Sequence, residues 1–137
     1  MQRTFTILKP DTIQSGNAGL VIDHLLKQGF RIRGAKLLHL TQAQAEGFYD
    51  VHRERPFFGS LVKFMTEGPV MVMVLEAENA IEKLRKTMGA TDPAKADAGT
   101  VRKLFATNIE RNAIHGSDAP ETAAYEIAYF FNQLEIV

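Results

Sequence analysis

Cysteine is absent from the 137-residue chain. That excludes disulfide staples, thiolate nucleophiles and cysteine-type zinc sites, and it agrees with a reducing compartment. A surplus of either charge is missing too, since 16 Lys+Arg balance 16 Asp+Glu. A broad polyanion binder shows a basic excess, so nucleic acid is not expected as a partner. A small anionic ligand stays open. Long apolar runs are also lacking. The longest, Val70 to Leu75, falls far short of the ~20 residues that cross a bilayer. The stretch before Lys9 has too few apolar residues for the roughly 7–15-residue core of a secretory signal. The expectation is a soluble, cytoplasmic protein with no membrane partner.

Several signatures are missing as well. There is no Gly-x4-Gly-Lys-Ser/Thr and no Gly-x-Gly-x-x-Gly, so any nucleotide chemistry is neither of the P-loop nor of the Rossmann kind. Gly16-Asn-Ala-Gly19 reads as a turn and a helix entry. Neither His-x3-His nor His-Glu-x-x-His occurs, so zinc is not expected by that route and no metal ligand is assigned.

What is present fits one domain over residues 1–137, since about 100–200 residues suit a single core. Hydrophobic residues make up 45% and charged residues 23%, as in ordinary globular domains. Strand and helix patterns interleave. Arg3 to Leu8 reads as a strand, and Leu20 to Gln28 as a helix with Val21, Ile22, Leu25 and Leu26 on one face. Gly29 suits the end of that helix. Phe30 to Leu40 reads as a second strand. Thr41-Gln-Ala-Gln44 matches a capping box, with a helix running to about Asp50. A short helix from Phe57 to Thr66 turns Leu61, Phe64 and Met65 inward. Val70 to Leu75 is apolar without alternation, as in a strand covered on both faces. Ala80 to Thr87 reads as a helix ending at Gly89. The segment from Gly89 to Asn112 is too long for a passive loop and is read as functional or partly helical. Ala113 to Gly116 makes a short strand. Asp118, Pro120 and Glu121 mark a helix start with Asp118 as N-cap. Ala123, Ala124, Ile127, Ala128, Phe130 and Phe131 form the buried side of that helix, with Glu126 at its margin. The pattern predicts an α/β or α+β sandwich and leaves strand direction open.

Of the four histidines, His24 reads as a solvated helix residue, His39 as a sheet-edge residue and His52 as a cation at a helix end. His115 differs. It ends a short strand just before a helix start, within Asn112-Ala-Ile-His115-Gly116-Ser117-Asp118. Free N–H donors and the positive dipole end favour a phosphoryl group there. A neutral imidazole is a competent nucleophile when a carboxylate fixes its tautomer, and Glu126 is the candidate carboxylate. The alternative is a strand-end histidine satisfied by Ser117 or Asp118. Lys9, Arg55, Arg85, Arg102 and Arg111 stand next to turns. Each alone suits a surface charge, and together they could converge on one anion cleft. Phe57 and Phe58 offer either an aromatic face for a base or core packing.

These residues resemble the nucleoside diphosphate kinase family from end to end. The matching segments are Arg3 to Asp11, Phe48-Tyr49, Arg55-Pro-Phe57-Phe-Gly59, Gly68-Pro-Val70, Met88 to Pro93, Gly99-Thr-Val-Arg102, and Asn112 to Asp118 with Glu126 downstream. The resemblance implies a ferredoxin-like sandwich, with helices packed on a four-stranded antiparallel sheet. It implies transfer of the terminal phosphate of a nucleoside triphosphate, typically ATP, to a nucleoside diphosphate by a ping-pong route through a phosphohistidine. His115 would carry the phosphate, and Glu126 with Ser117 would orient its ring. Lys9, Tyr49, Arg85, Thr91, Arg102 and Asn112 match positions that hold phosphates and ribose. Phe57 matches the residue that stacks on the base, with Leu61 beside it and Ile109 opposite. Stacking tolerates many bases, since every base has a π-face. Mg2+ is implied as a cofactor bound through the nucleotide phosphates. The family is homo-oligomeric, and Pro93 in the long loop favours a hexamer over a tetramer. One departure is Lys103-Leu104 after Arg102, where many members have Gly-Asp. Alternatives to the kinase are a catalytically silent nucleotide-binding relative and a nucleic-acid-binding relative.

Overall fold

The computed structural model describes residues 1–137. Strands β1 (Gln2–Leu8) and β3 (Val70–Ala77) form the centre of one sheet, and β2 (Arg31–Leu38) and β4 (Ile114–Gly116) its edges. The order is β2-β3-β1-β4 and every pairing is antiparallel, the ferredoxin-like arrangement. Val70 to Leu75 is an unbroken apolar run because both faces of β3 are covered. Val70, Val72 and Val74 enter one core layer, and Met73 and Leu75 the other. β1 divides likewise, sending Phe5 and Ile7 to the first layer and Leu8 to the second. Burying side chains of this size contributes on the order of 2 kcal/mol each.

Helices α3 (Gln42–Phe48) and α4 (Phe58–Met65) close the first layer through Phe48, Val62, Phe64 and Met65. Helices α2 (Ala18–Lys27), α5 (Ala80–Met88) and α6 (Val101–Phe105) close the second through Leu25, Leu84 and Val101. Both halves of the Thr41–Gln44 capping box form at the start of α3. Gly29 follows α2 with φ of 93°, the left-handed form a helix end asks of glycine. The long segment after Gly89 is partly helical, with a 3₁₀ turn at Pro93–Lys95 before α6.

The chain departs from the sequence expectations at several points. A five-residue helix α1 (Pro10–Gln14) follows β1, started by Pro10 at its first position, where the fixed φ and missing N–H do no harm. Helix α7 (Pro120–Phe130) is capped by Ala119 rather than Asp118, because Pro120 takes the first helical position. Its buried side is narrower than predicted. Ala123 and Glu126 are buried, Ile127 and Phe130 are half-buried, and Ala124 and Ala128 face solvent. Leu26 on α2 is also exposed. β2 is an edge strand, bulged between Ile32 and Gly34, and stops before His39, which hydrogen-bonds the Thr66 carbonyl at 2.9 Å.

This topology gathers distant segments at one end of the sheet. Lys9 leaves the end of β1, and His115 on β4 pairs with Ile7 of β1. Around them stand the ends of α3, α5 and α6, the start of α4 and the middle of α7.

Candidate active site

His115 occupies a strand position whose neighbours in sequence turn the other way. Ile114 enters the second core layer, so the His115 ring points toward the first layer, among Phe5, Phe48 and Tyr49. Gly116 follows it without a side chain, and the space a Cβ would take is filled by Met88, whose sulfur would lie 2.8 Å away. The Nε2 of His115 is 2.9 Å from Oε1 of Glu126. Ser117 Oγ donates to the same oxygen at 2.6 Å. The carboxylate accepts both bonds, so the imidazole hydrogen sits on Nε2 and Nδ1 keeps its lone pair. A fixed tautomer with one free nitrogen is what a nucleophilic histidine needs.

A cleft of about 720 Å³ opens in front of the ring. Lys9, Tyr49, Phe57, Leu61, Arg85, Thr91, Arg102, Ile109, Asn112, His115 and Glu126 all line it. Ser117 lies fully buried behind Glu126. The cations differ in setting. Lys9 is buried and its Nζ donates to Asn112 Oδ1 at 2.8 Å. Burial, and then the nearby Arg102 charge, lower its pKa to about 8. Arg102 is buried as well. Its Nη1 donates to the Gly89 carbonyl at 3.1 Å, its Nη2 to Ile114 at 2.8 Å and its Nε to Asn112 at 3.4 Å. Burial, with the Arg85 charge, brings it to about 10, so it stays charged at neutral pH. Gly89 makes this reach possible. It has φ of 87°, and a Cβ there would sit 2.5 Å from Thr100 Oγ1, the side chain that caps α6. Arg85 and Thr91 are exposed on the rim.

Tyr49 presents a buried hydroxyl with no hydrogen-bond partner. Burial, and then the Glu126 charge, push its pKa well above the usual phenol range. It is therefore a neutral donor without an acceptor, beside the imidazole. Together these groups make a pocket that offers donors and positive charge to an anion next to an oriented histidine.

Two of the five cations do not join the cleft. Arg111 pairs with Glu67 at 2.7 Å and lies over the Phe64 ring, and Arg55 is exposed outside the lining. Conversely, His52 lines the cleft although its sequence context reads as a helix end. Its ring is 5.5 Å from Phe57 and 6.4 Å from Tyr49. The three-residue spacing from Tyr49 was the available signal, since residues three apart share a face of a 3₁₀ turn. Asp118, Thr122 and Glu110 are further lining residues that sequence reading passed over. No group of three or more His, Cys, Asp or Glu is placed to hold a metal ion. No helix is long and apolar enough to cross a membrane.

Fold and cleft define an α/β-sandwich protein with a cleft lined by Lys9, Arg85 and Arg102 beside a carboxylate-held histidine. The family model described as "Nucleoside diphosphate kinase" matches residues 2–136. The nucleoside diphosphate kinase of Trichlorobacter lovleyi is 58% identical over 137 residues, covering 100% of this chain and 99% of that one. That of Nitratidesulfovibrio vulgaris is 56% identical over 137 residues, with 100% and 99% covered. The solved nucleoside diphosphate kinase of Aquifex aeolicus superposes with a TM-score of 0.97 at 45% identity, covering 99% of both chains. The halophilic enzyme of Halobacterium salinarum, solved in complex with CDP, gives 0.95 at 38% identity, covering 99% of this chain and 91% of that one. The chain belongs to the nucleoside diphosphate kinase family, whose members move phosphate between nucleotides. The comparisons lend no support to a catalytically silent relative.

Proposed function

We propose that the chain transfers the terminal phosphoryl group of a nucleoside triphosphate to a nucleoside diphosphate in two half-reactions through a phosphohistidine on His115. The observation that carries this reading is the 2.9 Å contact between His115 Nε2 and Glu126 Oε1, backed by Ser117. In the first half-reaction the Nδ1 lone pair attacks the terminal phosphorus. The bond to the bridging oxygen breaks, and the nucleoside diphosphate leaves. In the second, a terminal oxygen of another diphosphate attacks the same phosphorus and the P–N bond breaks. Glu126 stabilises the imidazolium character that develops at His115. Lys9, Arg85 and Arg102 offset charge on the phosphoryl oxygens, where positioned cations and donors supply most of the rate. The unpartnered Tyr49 hydroxyl and the Asn112 amide donate to the same oxygens, and Thr91 serves the diphosphate on the rim. Phe57 stacks on the base, with Leu61 and Ile109 closing its slot.

Mg2+ enters as part of the metal–nucleotide substrate, where it would offset phosphate charge, and no protein side chain is assigned to it. We further infer a single cytoplasmic domain over residues 1–137 that assembles with copies of itself, as a hexamer rather than a tetramer. Sedimentation measures the assembly directly.

Incubation with γ-labelled ATP is expected to leave an acid-labile, alkali-stable label on the protein. His115→Ala should lose it. Equal labelling of that variant would overturn the assignment. Turnover from ATP to a non-adenine diphosphate separates the kinase from a silent nucleotide-binding relative, which would show none.

A further inference from the structure

Ala113 stands two residues before His115 and adopts φ of 75°, one of two non-glycine residues in the left-handed region. The Ile114 N–H donates to the Asn112 carbonyl at 2.9 Å, closing a three-residue turn with Ala113 at its centre. In this form, with positive φ at the centre, such a turn is rare and strained, and a side chain at its centre opposes it. Nothing about alanine favours the conformation, so its surroundings must impose it.

The surroundings that do so come from residues 9 to 12. The Ala113 N–H donates to Asp11 Oδ2 at 3.0 Å. The Ala113 carbonyl accepts from Thr12 Oγ1 at 2.8 Å and from the Lys9 N–H at 3.0 Å. Both polar groups of the one strained residue are thus held by the first turn of α1. The other Asp11 oxygen, Oδ1, is buried without a partner, so this carboxylate has accepted burial to make the bond. The turn governs what flanks it. Before it, Asn112 takes the Lys9 ammonium, and after it, His115 meets Glu126.

We propose that Asp11 and Thr12 are positioning residues for phosphoryl transfer: they hold the left-handed turn at Ala113, and through it they set the His115 nitrogen and the Asn112 amide against the bound phosphates. This rests on His115 being the phosphorylated residue. Misplacement by about 1 Å at a reacting centre is worth on the order of 100-fold in rate.

Glycine reaches positive φ as readily as negative φ, which gives a direct test. Asp11→Ala is expected to slow single-turnover labelling of His115 from γ-labelled ATP on the order of 100-fold. In an Ala113→Gly background the same substitution should cost about 10-fold or less, since glycine keeps the turn populated without the clamp. Equal losses in the two backgrounds overturn the proposal. Asp11→Asn keeps an acceptor oxygen for the Ala113 N–H but removes the charge near Lys9, so it should recover most of the rate. If it is as slow as Asp11→Ala, Asp11 acts on the Lys9 charge and the proposal fails. Thr12→Val keeps shape and loses only the hydroxyl, so it carries the same comparison should Asp11→Ala not fold. The three-bond HN–Hα coupling at residue 113 reports the turn independently of activity. A wild type that carries no label on His115 defeats the phosphohistidine reading itself. A labelled wild type with no background dependence defeats only the clamp.

Discussion

At the inner end of the cleft Asn112 is 3% exposed, Lys9 7% and Arg102 8%, and each is tied to another part of the chain by hydrogen bonds. At the outer end Phe57 is 47% exposed and Ile109 60%. There the opposing walls are joined by surface contacts, from Ser60 Oγ to Glu110 Oε2 at 2.7 Å and from Arg111 to Glu67 at 2.7 Å. The difference is one of preorganisation. The inner groups were desolvated when the chain folded, so little reorganisation is left for the moment when charge develops on a phosphoryl group. The outer groups form an open slot where, under the proposed function, a flat ring would stack on its face rather than be read at its edge. Rate should therefore be sensitive to the inner end and affinity to the outer.

The largest break comes from Arg102. Arg102→Ala removes a cation and leaves the carbonyls of Gly89, Asn112 and Ile114 without that donor. A loss of about 10³-fold in kcat/KM is expected. Stability should fall by about 3 kcal/mol, because buried acceptors lose a partner. Steady-state kinetics and denaturant titration measure the two effects. Arg102→Lys should recover charge but not the fork, and so restore only part of either. A variant of normal stability and rate would show that the inner end is not preorganised.

Glu126→Gln asks a narrower question. The amide has nearly the same size and buried setting but no charge, so the imidazole loses its stabiliser while the cleft keeps its shape. The rate of His115 phosphorylation should fall about 10²-fold, with nucleotide affinity little changed. Rapid-mixing measurement of the labelled enzyme, beside equilibrium nucleotide binding, separates the two. An affinity loss as large as the rate loss would mean Glu126 shapes the cleft rather than the nucleophile.

These two residues also show what was legible in sequence. The Asn112 to Asp118 segment is local, and it singled out His115 without any fold, leaving open a strand-end histidine satisfied by Ser117 or Asp118. The run from Val70 to Leu75 announced a covered central strand because burial on both faces removes alternation. Arg102 and Arg111 both stand beside turns, and only tertiary placement separates them. Glu67, 44 residues away, draws Arg111 outward, whereas backbone carbonyls hold Arg102 inside. Asp118 carried an N-cap signal, but the helix starts after Ala119 and leaves Asp118 on the cleft wall. The left-handed Ala113 had no signal, since its conformation is imposed by Asp11 and Thr12 about a hundred positions earlier.

A third prediction uses pH. Lys9 in the free protein titrates near pH 8 against 10.5 for an unburied lysine. Between these values the unfolded chain binds more protons than the folded one. The nucleotide-free protein should therefore gain stability from this group as pH rises from about 8 to 10.5, as the cost of a buried charge is relieved. Nucleotide binding works the other way. A polyphosphate beside Lys9 favours its charged form, so binding should take up a proton above pH 8 and weaken by up to about tenfold per pH unit there. Calorimetry in two buffers of different ionisation enthalpy reads the proton uptake. Lys9→Arg should move the uptake to higher pH, because a guanidinium holds its proton more strongly than an ammonium in the same setting.

The smallest effect is expected at Phe57, and it is the one that sharpens the contrast most. The Phe57 ring stands at the N-cap of α4, half in solvent, with the His52 ring 5.5 Å away as its nearest aromatic neighbour. Stacking on an aromatic is worth about 1–3 kcal/mol per base, and an exposed face belongs at the low end of that range. Phe57→Ala should therefore raise KM by less than about tenfold, by the same factor for purine and pyrimidine diphosphates within the strength of their stacking. The phosphorylation rate at saturating nucleotide should not move, since the ring stands half in solvent whereas Lys9, Arg102 and Asn112, proposed to meet the phosphates, are buried. A fall in that rate would show that the two ends are coupled through His52 and Tyr49, whose rings lie 6.4 Å apart. A KM change confined to one base would show that the slot reads base edges after all.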